Sequence, residues 1–296
     1  MKKVGRLLTA MVTPFNEEGE VDYEQAKKLA LALLSSGSDG VLVVGTTGES
    51  PTLTLEEELR LFAEVKSAVG EQGSVIAGTG SNSTAEAVEA TKEAEKIGVD
   101  ACLLVVPYYN KPPQEGLYQH FKTIAQSTSL PCIPYNVPSR TVTNLSAETV
   151  IKLSQIDNII GIKEASGNFD QIARIISNTS DDFFVWSGND SDTFPILALG
   201  GYGIVSVASH LVGNQIKEMI DSFINGETNK AAKIHHHLLP LINALFIVSN
   251  PIPVKYAVNY VGFNVGKPRL PLVEPDDKTA AFIKATLKNY KIDLPV

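Results

Sequence analysis

Lys163 closes a short β-branched run, Asn158-Ile-Ile-Gly-Ile-Lys-Glu-Ala-Ser166, that otherwise reads as a fully buried strand. A lysine there is costly unless it has a task. An exposed lysine amine titrates at about 10.4, so only about one in two thousand is unprotonated at neutral pH. Burial disfavours the ammonium, lowers that pKa and yields an amine able to form a Schiff base with a carbonyl compound. A lysine snorkelling or salt-bridged at a strand end is the plainer use. What else the chain would bring to such an amine decides between them.

Four other segments carry polar groups of matching use. In Gly45-Thr-Thr-Gly-Glu-Ser50, backbone N–H groups at Thr46 and Thr47 can hold the carboxylate of a 2-keto acid. Hydroxyls of Thr47, of Tyr135 in Tyr135-Asn-Val-Pro-Ser-Arg-Thr141 and of Tyr109 in Pro107-Tyr-Tyr-Asn-Lys-Pro112 can pass protons during carbinolamine and enamine steps. Arg140 offers a planar fork for a second carboxylate. Ser187-Gly-Asn-Asp190 adds a further polar turn. Each has a plainer use: adjacent tyrosines as packing, Thr-Thr as a simple turn, Arg140 as a surface ion pair. Singly each of those uses is at least as good a reading as the chemistry; five strand ends in concert favour the chemistry.

Other candidates weigh less. His235-His-His237 falls in a predicted helix, where consecutive positions diverge and metal ligands would need i, i+4 spacing, so a solvated face is expected. Gly188-Asn-Asp-Ser-Asp192 lacks the central glycine and distal glutamate of a calcium loop and reads as a helix-start turn. Gly78-Thr-Gly-Ser-Asn82 is too short a match for a nucleotide site, and no P-loop or zinc motif is present. Neither a metal nor a cofactor is expected. Cys102 and Cys132 sit in apolar runs without ligand spacing and are expected as buried free thiols.

The elements that must position these groups alternate. Strands are predicted at Leu7–Val12, Gly40–Val44, Val75–Ala77, Ala101–Val106, Cys132–Tyr135, Ile159–Lys163, Phe183–Ser187 and Ile204–Val207. Helices are predicted between them at Tyr23–Ser36, Leu55–Val69, Thr84–Ile97, Gln114–Ser127, Ala147–Leu153, Asp170–Asn178 and Thr193–Leu199. Thr54 with Glu57 reads as a capping box, and Ser146 and Asn168 as N-caps. Such alternation implies right-handed βαβ units on a parallel sheet. Eight units in roughly 225 residues match an α/β (β/α)8 TIM barrel. A doubly wound open sheet is disfavoured, because the first turn, Thr13-Pro-Phe-Asn16, lacks a glycine fingerprint. In a barrel the strand C-termini, where all five segments lie, form the functional face. After Gly213 only helical patterns follow, at Gln215–Asn225, Asn229–Val248, Pro253–Val261 and Asp276–Lys288. The expected division is a barrel at 1–226 and a C-terminal helical extension at 227–296.

Bulk properties narrow the partners. The 296 residues are 44% hydrophobic, enough for a large core. A formal charge of −8 argues against nucleic acid or an anionic membrane, both of which need a basic surface. The first residues lack a signal-peptide core, and no apolar run reaches the ~18 residues of a membrane span. The cytoplasm is expected.

Taken together, Gly45–Ser50, Pro107–Asn110, Tyr135–Thr141, Gly161–Asn168 and Gly200-Gly-Tyr-Gly-Ile-Val-Ser206 resemble the 4-hydroxy-tetrahydrodipicolinate synthase family of class I, pyruvate-dependent lyases. The resemblance extends over nearly the whole chain, through Asn250-Pro-Ile-Pro-Val-Lys255 and Leu270-Pro-Leu-Val273. It implies that Lys163 forms the Schiff base with pyruvate, and that the resulting enamine attacks L-aspartate 4-semialdehyde in lysine and diaminopimelate biosynthesis. It implies a relay of Thr47, Tyr135 and Tyr109, with Tyr109 reaching a neighbouring subunit. Arg140 would hold the semialdehyde carboxylate, Thr46 would help hold pyruvate, and backbone groups of Gly188 and Val205 would line the site. The implied assembly is a homotetramer, a dimer of dimers. A sister aldolase acting on sialic acid or a 2-keto-3-deoxy sugar acid is the nearest rival, but a polyhydroxylated aldehyde needs no guanidinium at Arg140. Ser50, Asn82, Glu86 and Tyr108 match the family's allosteric lysine site. Leu55 and Glu58 stand where strongly inhibited members commonly carry histidines, and Pro51 replaces a common alanine, so strong lysine feedback is not expected.

Overall fold

The computed structural model describes residues 4–296. Its eight strands are β1 (Leu7–Ala10), β2 (Gly40–Val43), β3 (Ser74–Gly78), β4 (Ala101–Val105), β5 (Cys132–Asn136), β6 (Gly161–Glu164), β7 (Phe184–Ser187) and β8 (Gly203–Ser206). They form a closed barrel in chain order, and the strand pairs registered within it run parallel. Each predicted strand is present, shifted by at most two residues at either end. Nearly every strand residue is buried, as expected of parallel strands covered on both faces.

The chain divides into two compact units, residues 4–6 with Ile76–Val205, and Leu7–Val75 with Ser206–Val296. The first contains α3 (Thr84–Ile97), α4 (Gln114–Ala125), α5 (Pro138–Thr141), α6 (Ala147–Leu153), α7 (Phe169–Ser177) and α8 (Thr193–Ala198). Ser146 and Asn168 cap α6 and α7 as their sequences predict, accepting from the backbone N–H groups of Thr149 and Gln171. Register matters most here. Tyr135 on β5 lies opposite Lys163 on β6, which lies opposite Trp186 on β7. Residues level with one another in a parallel sheet share a face, so these three side chains emerge on the same side.

The second unit contains α1 (Tyr23–Ser35), α2 (Leu55–Val69), α9 (Ser209–Ile224), α10 (Thr228–Leu245), α11 (Ile252–Tyr260) and α12 (Asp277–Leu287). Thr54 and Glu57 form the reciprocal capping box at the start of α2. Helix α9 begins six residues before the predicted start and kinks at Val212. Gly213 serves close approach, since a Cβ there would strike the carbonyl oxygen of Ser36. One sequence expectation needs correction. His236 and His237 are exposed on α10, but His235 is buried, because α10 packs that side of itself against its neighbours.

Candidate active site

In the first unit, β6 delivers Lys163 into buried surroundings, with only 5% of its surface exposed. Its Nζ lies 4.0 Å from the centroid of the Tyr135 ring. Burial pushes the Lys163 pKa down to about 7; Asp190 pulls it upward, and Arg140 adds to the depression. An amine in that range is substantially neutral at physiological pH. Tyr135 shifts the other way, its phenol pushed up to about 12 by burial, against the pull of Arg140 and with repulsion from Glu164. It is therefore a neutral hydroxyl that can donate or accept a hydrogen bond without standing as phenolate.

Gly188, just past β7, fits the lysine stem. A Cβ there would sit 2.7 Å from Ala165 Cβ and 3.3 Å from Lys163 Cε. A side chain there would collide with Ala165 and crowd the lysine stem. Val205 lies on β8, one residue beyond Ile204, which pairs with Ser187. Arg140 sits on α5, a one-turn helix that the sequence reading did not predict. Pro138 starts it, and Val142 stops it in the left-handed conformation at φ 58°. The guanidinium is exposed, yet its charge reaches both Lys163 and Tyr135. The Asp190–Asp192 turn leads directly into α8, as the helix-start reading of Gly188–Asp192 predicts.

Two groups here escaped the sequence reading. Asp190 is buried and acts on the Lys163 charge. Glu164, the next residue along β6 and so on the opposite face, is fully buried in a ring of donors. Asn136 Nδ2 donates at 3.1 and 3.2 Å, the Ser166 backbone N–H at 2.7 Å and Gln171 Nε2 at 3.2 Å. Burial raises the Glu164 pKa in spite of these bonds. The adjacent Lys-Glu pair was visible in sequence, but the side-chain donors to Glu164 come from β5 and α7.

Tyr109 stands apart. It is 91% exposed, with its backbone in the left-handed region at φ 75°. Lys111, two residues on, shares that strain at φ 47°. Asn82 donates to the carbonyl of Tyr108 at 3.1 Å and its own carbonyl accepts from Asn110 at 2.8 Å. Glu86 accepts from Ser81 Oγ at 2.7 Å. Three of the four residues matched to an allosteric site, Asn82, Glu86 and Tyr108, thus belong to one neighbourhood.

The second unit holds Thr46, Thr47 and Ser50. Gly48, Glu49 and Ser50 spend their N–H groups inside the turn, on carbonyls of Gly45 and Thr46. The N–H groups of Thr46 and Thr47 donate to none of the described residues, which leaves two adjacent backbone donors for a carboxylate. Thr47 is buried, and its Oγ1 accepts from Asn250 Nδ2 at 2.9 Å. Ser50 opens a short 3-10 turn, Ser50–Thr52. Nearby on α2, burial followed by repulsion from Glu57 pushes the Glu58 carboxyl up to about 7.

Cys102 and Cys132 are buried and free, with burial raising both thiol pKa values. No helix among the described residues is long and apolar enough to cross a membrane.

Comparison with known proteins now bears on this geometry. Residues 3–290 match the Dihydrodipicolinate synthetase family. A 4-hydroxy-tetrahydrodipicolinate synthase of Dehalococcoides mccartyi is 71% identical over 296 residues, covering 100% of both chains. The crystal structure of a dihydrodipicolinate synthase from Bacillus anthracis superposes with a TM-score of 0.96 at 47% identity, covering 98% of this chain and 100% of that one. That of the Cyanidioschyzon merolae enzyme, with lysine bound, gives 0.95 at 50% identity, covering 96% and 97%.

Proposed function

The chain belongs to the dihydrodipicolinate synthetase family, and on that premise we infer that it condenses pyruvate with L-aspartate 4-semialdehyde. It is a lyase of the class I aldolase type, its product is 4-hydroxy-tetrahydrodipicolinate, and the step serves lysine and diaminopimelate biosynthesis. The observation that carries the chemistry is Lys163, buried on β6 with its pKa lowered to about 7.

The neutral Lys163 amine attacks the keto carbon of pyruvate, and water leaves to give an imine. Loss of a methyl proton makes the enamine, whose carbon attacks the aldehyde of the second substrate. Ring closure by that substrate's own amine then displaces Lys163. Tyr135, close to Nζ and neutral, is assigned the proton transfers, with Thr47 and Tyr109 as further relay hydroxyls. The two backbone donors at Thr46 and Thr47 suit the pyruvate carboxylate. Arg140, exposed on α5 just past β5, suits the carboxylate of the semialdehyde. Gly188 and Val205 line the space around the lysine stem. Residues 1–226 are the catalytic barrel in this reading, and 227–296 the extension that supports it.

Borohydride trapping tests the lysine directly. With pyruvate present, reduction should add one pyruvate-derived group per chain, on the peptide that contains Lys163. An unmodified Lys163, or an adduct confined to another lysine, would contradict the assignment.

A further inference from the structure

We propose that Asn250, in the C-terminal extension, is a positioning residue that fixes the direction in which Thr47 passes its proton. The proposal rests on the assignment of Thr47 to the relay and extends it to a residue more than two hundred positions away.

The contact has a definite polarity. Asn250 Nδ2 donates to Thr47 Oγ1 at 2.9 Å, and both residues are buried. An amide NH2 has protons and no lone pair to offer, so at this contact the hydroxyl can only accept. The hydroxyl proton of Thr47 must then point away from Asn250, with one lone pair left over. A hydroxyl held in this way can give one proton and take one along a single path, without the reorientation that a free rotor needs.

The extension grips the same turn at a second point. Asn250 lies immediately before Pro251, the N-cap of α11, and Lys255 lies on that helix. Lys255 Nζ reaches Glu49 Oε1 at 2.7 Å, two residues beyond Thr47. The other carboxylate oxygen of Glu49 accepts from the Arg269 backbone N–H at 2.8 Å. Glu49 itself holds a left-handed backbone, φ 58°, a conformation that costs a non-glycine residue energy unless its surroundings enforce it. The buried ion pair supplies that enforcement. Asn250 therefore acts from a fixed base on a turn whose shape the same helix holds.

A double-mutant cycle separates positioning from general support. Condensation kinetics would be measured for wild type, Asn250→Ala, Thr47→Val and the double variant, with Asn250→Asp as the variant of equal size. Borohydride trapping of pyruvate and thermal denaturation would accompany each. Asn250→Ala should lower kcat on the order of tenfold, with the KM for pyruvate changed less than about twofold. In the Thr47→Val background the same change should cost less than about twofold, because the hydroxyl it directs is gone. Asn250→Asp presents an acceptor where a donor was, captures the Thr47 proton and should lower kcat at least as far. Should the alanine variant melt early, that polarity reversal carries the test alone. Equal losses in both backgrounds, or wild-type turnover in Asn250→Asp, would overturn the proposal while leaving a Lys163 adduct intact. Wild-type kcat in Thr47→Val would overturn both the relay assignment and this one. Absence of any Lys163 adduct in the wild type would overturn the functional reading itself.

Discussion

Lys163 feels two opposed charges, Asp190 favouring its ammonium and Arg140 disfavouring it, and burial sets the outcome. The result is an amine about half neutral at pH 7, against roughly one in two thousand for an exposed lysine. The folded protein is penalised for this. With a folded pKa of about 7 and an ordinary value of 10.5 when unfolded, the unfolded chain binds more protons between those limits. Stability from this group therefore rises as pH climbs from 7 towards 10.5, and the penalty is complete below 7. Lys163→Met should abolish turnover yet raise the melting temperature, by more at pH 6 than at pH 9. Equal or lower melting at pH 6 would show that the amine is not strained by its surroundings. Lys163 was legible in the sequence because a lysine ending a β-branched run contradicts its neighbours. Tyr135 and Arg140 were legible by falling at the end of the preceding strand. Asp190 was seen only as part of a turn, since no local pattern tells that its carboxylate faces a lysine on another strand.

Among the elements, α11 and the turn after β2 are joined by a buried network. Lys255 and Glu49 have side chains 1% and 0% exposed, so solvent does not screen their pairing. Even so, burial lowers the Lys255 pKa to about 8, outweighing the Glu49 charge 2.7 Å away. Arg269 continues the network with a bidentate grip on Glu57, at 2.9 and 2.6 Å. Removing one partner strands the other. Glu49→Ala should cost about 3–5 kcal/mol in urea unfolding, and the combined Glu49→Leu with Lys255→Met should recover most of it, since a buried pair gains little over apolar residues of similar size. A loss under about 1 kcal/mol for Glu49→Ala would mean that water reaches Lys255. Helix ends with capping residues were legible: Thr54, Ser146 and Asn168 cap as predicted. The early start of α9 and the single turn of α5 were not, because each depends on what the chain packs against. The Glu49–Lys255 pair was hidden for another reason. Its members are 206 residues apart, and a lysine after Pro-Val on a helix looks like any exposed one.

For the whole molecule, the exposed Tyr109 is the feature a single chain leaves unexplained. A tyrosine 91% exposed on a left-handed backbone is strained towards solvent without burying its ring. We propose that a second subunit covers it and that two such dimers make a tetramer. Sedimentation should give a mass near four chains, with turnover lost when dilution yields monomers; a fully active monomer would contradict it. Strand–helix alternation made the barrel legible, because eight βα units of this length have few other ways to bury both faces of a parallel sheet. The proposed assembly rests on the family resemblance and on the exposed Tyr109 alone. The central claim, that the Lys163 amine joins pyruvate to L-aspartate 4-semialdehyde, is tested most directly by following condensation in wild type and Lys163→Met from pH 6 to pH 9. Product formation should rise through a midpoint near pH 7 in the wild type and be absent in the variant. Condensation that persists without Lys163, or no condensation by the wild type at any pH, would contradict the account.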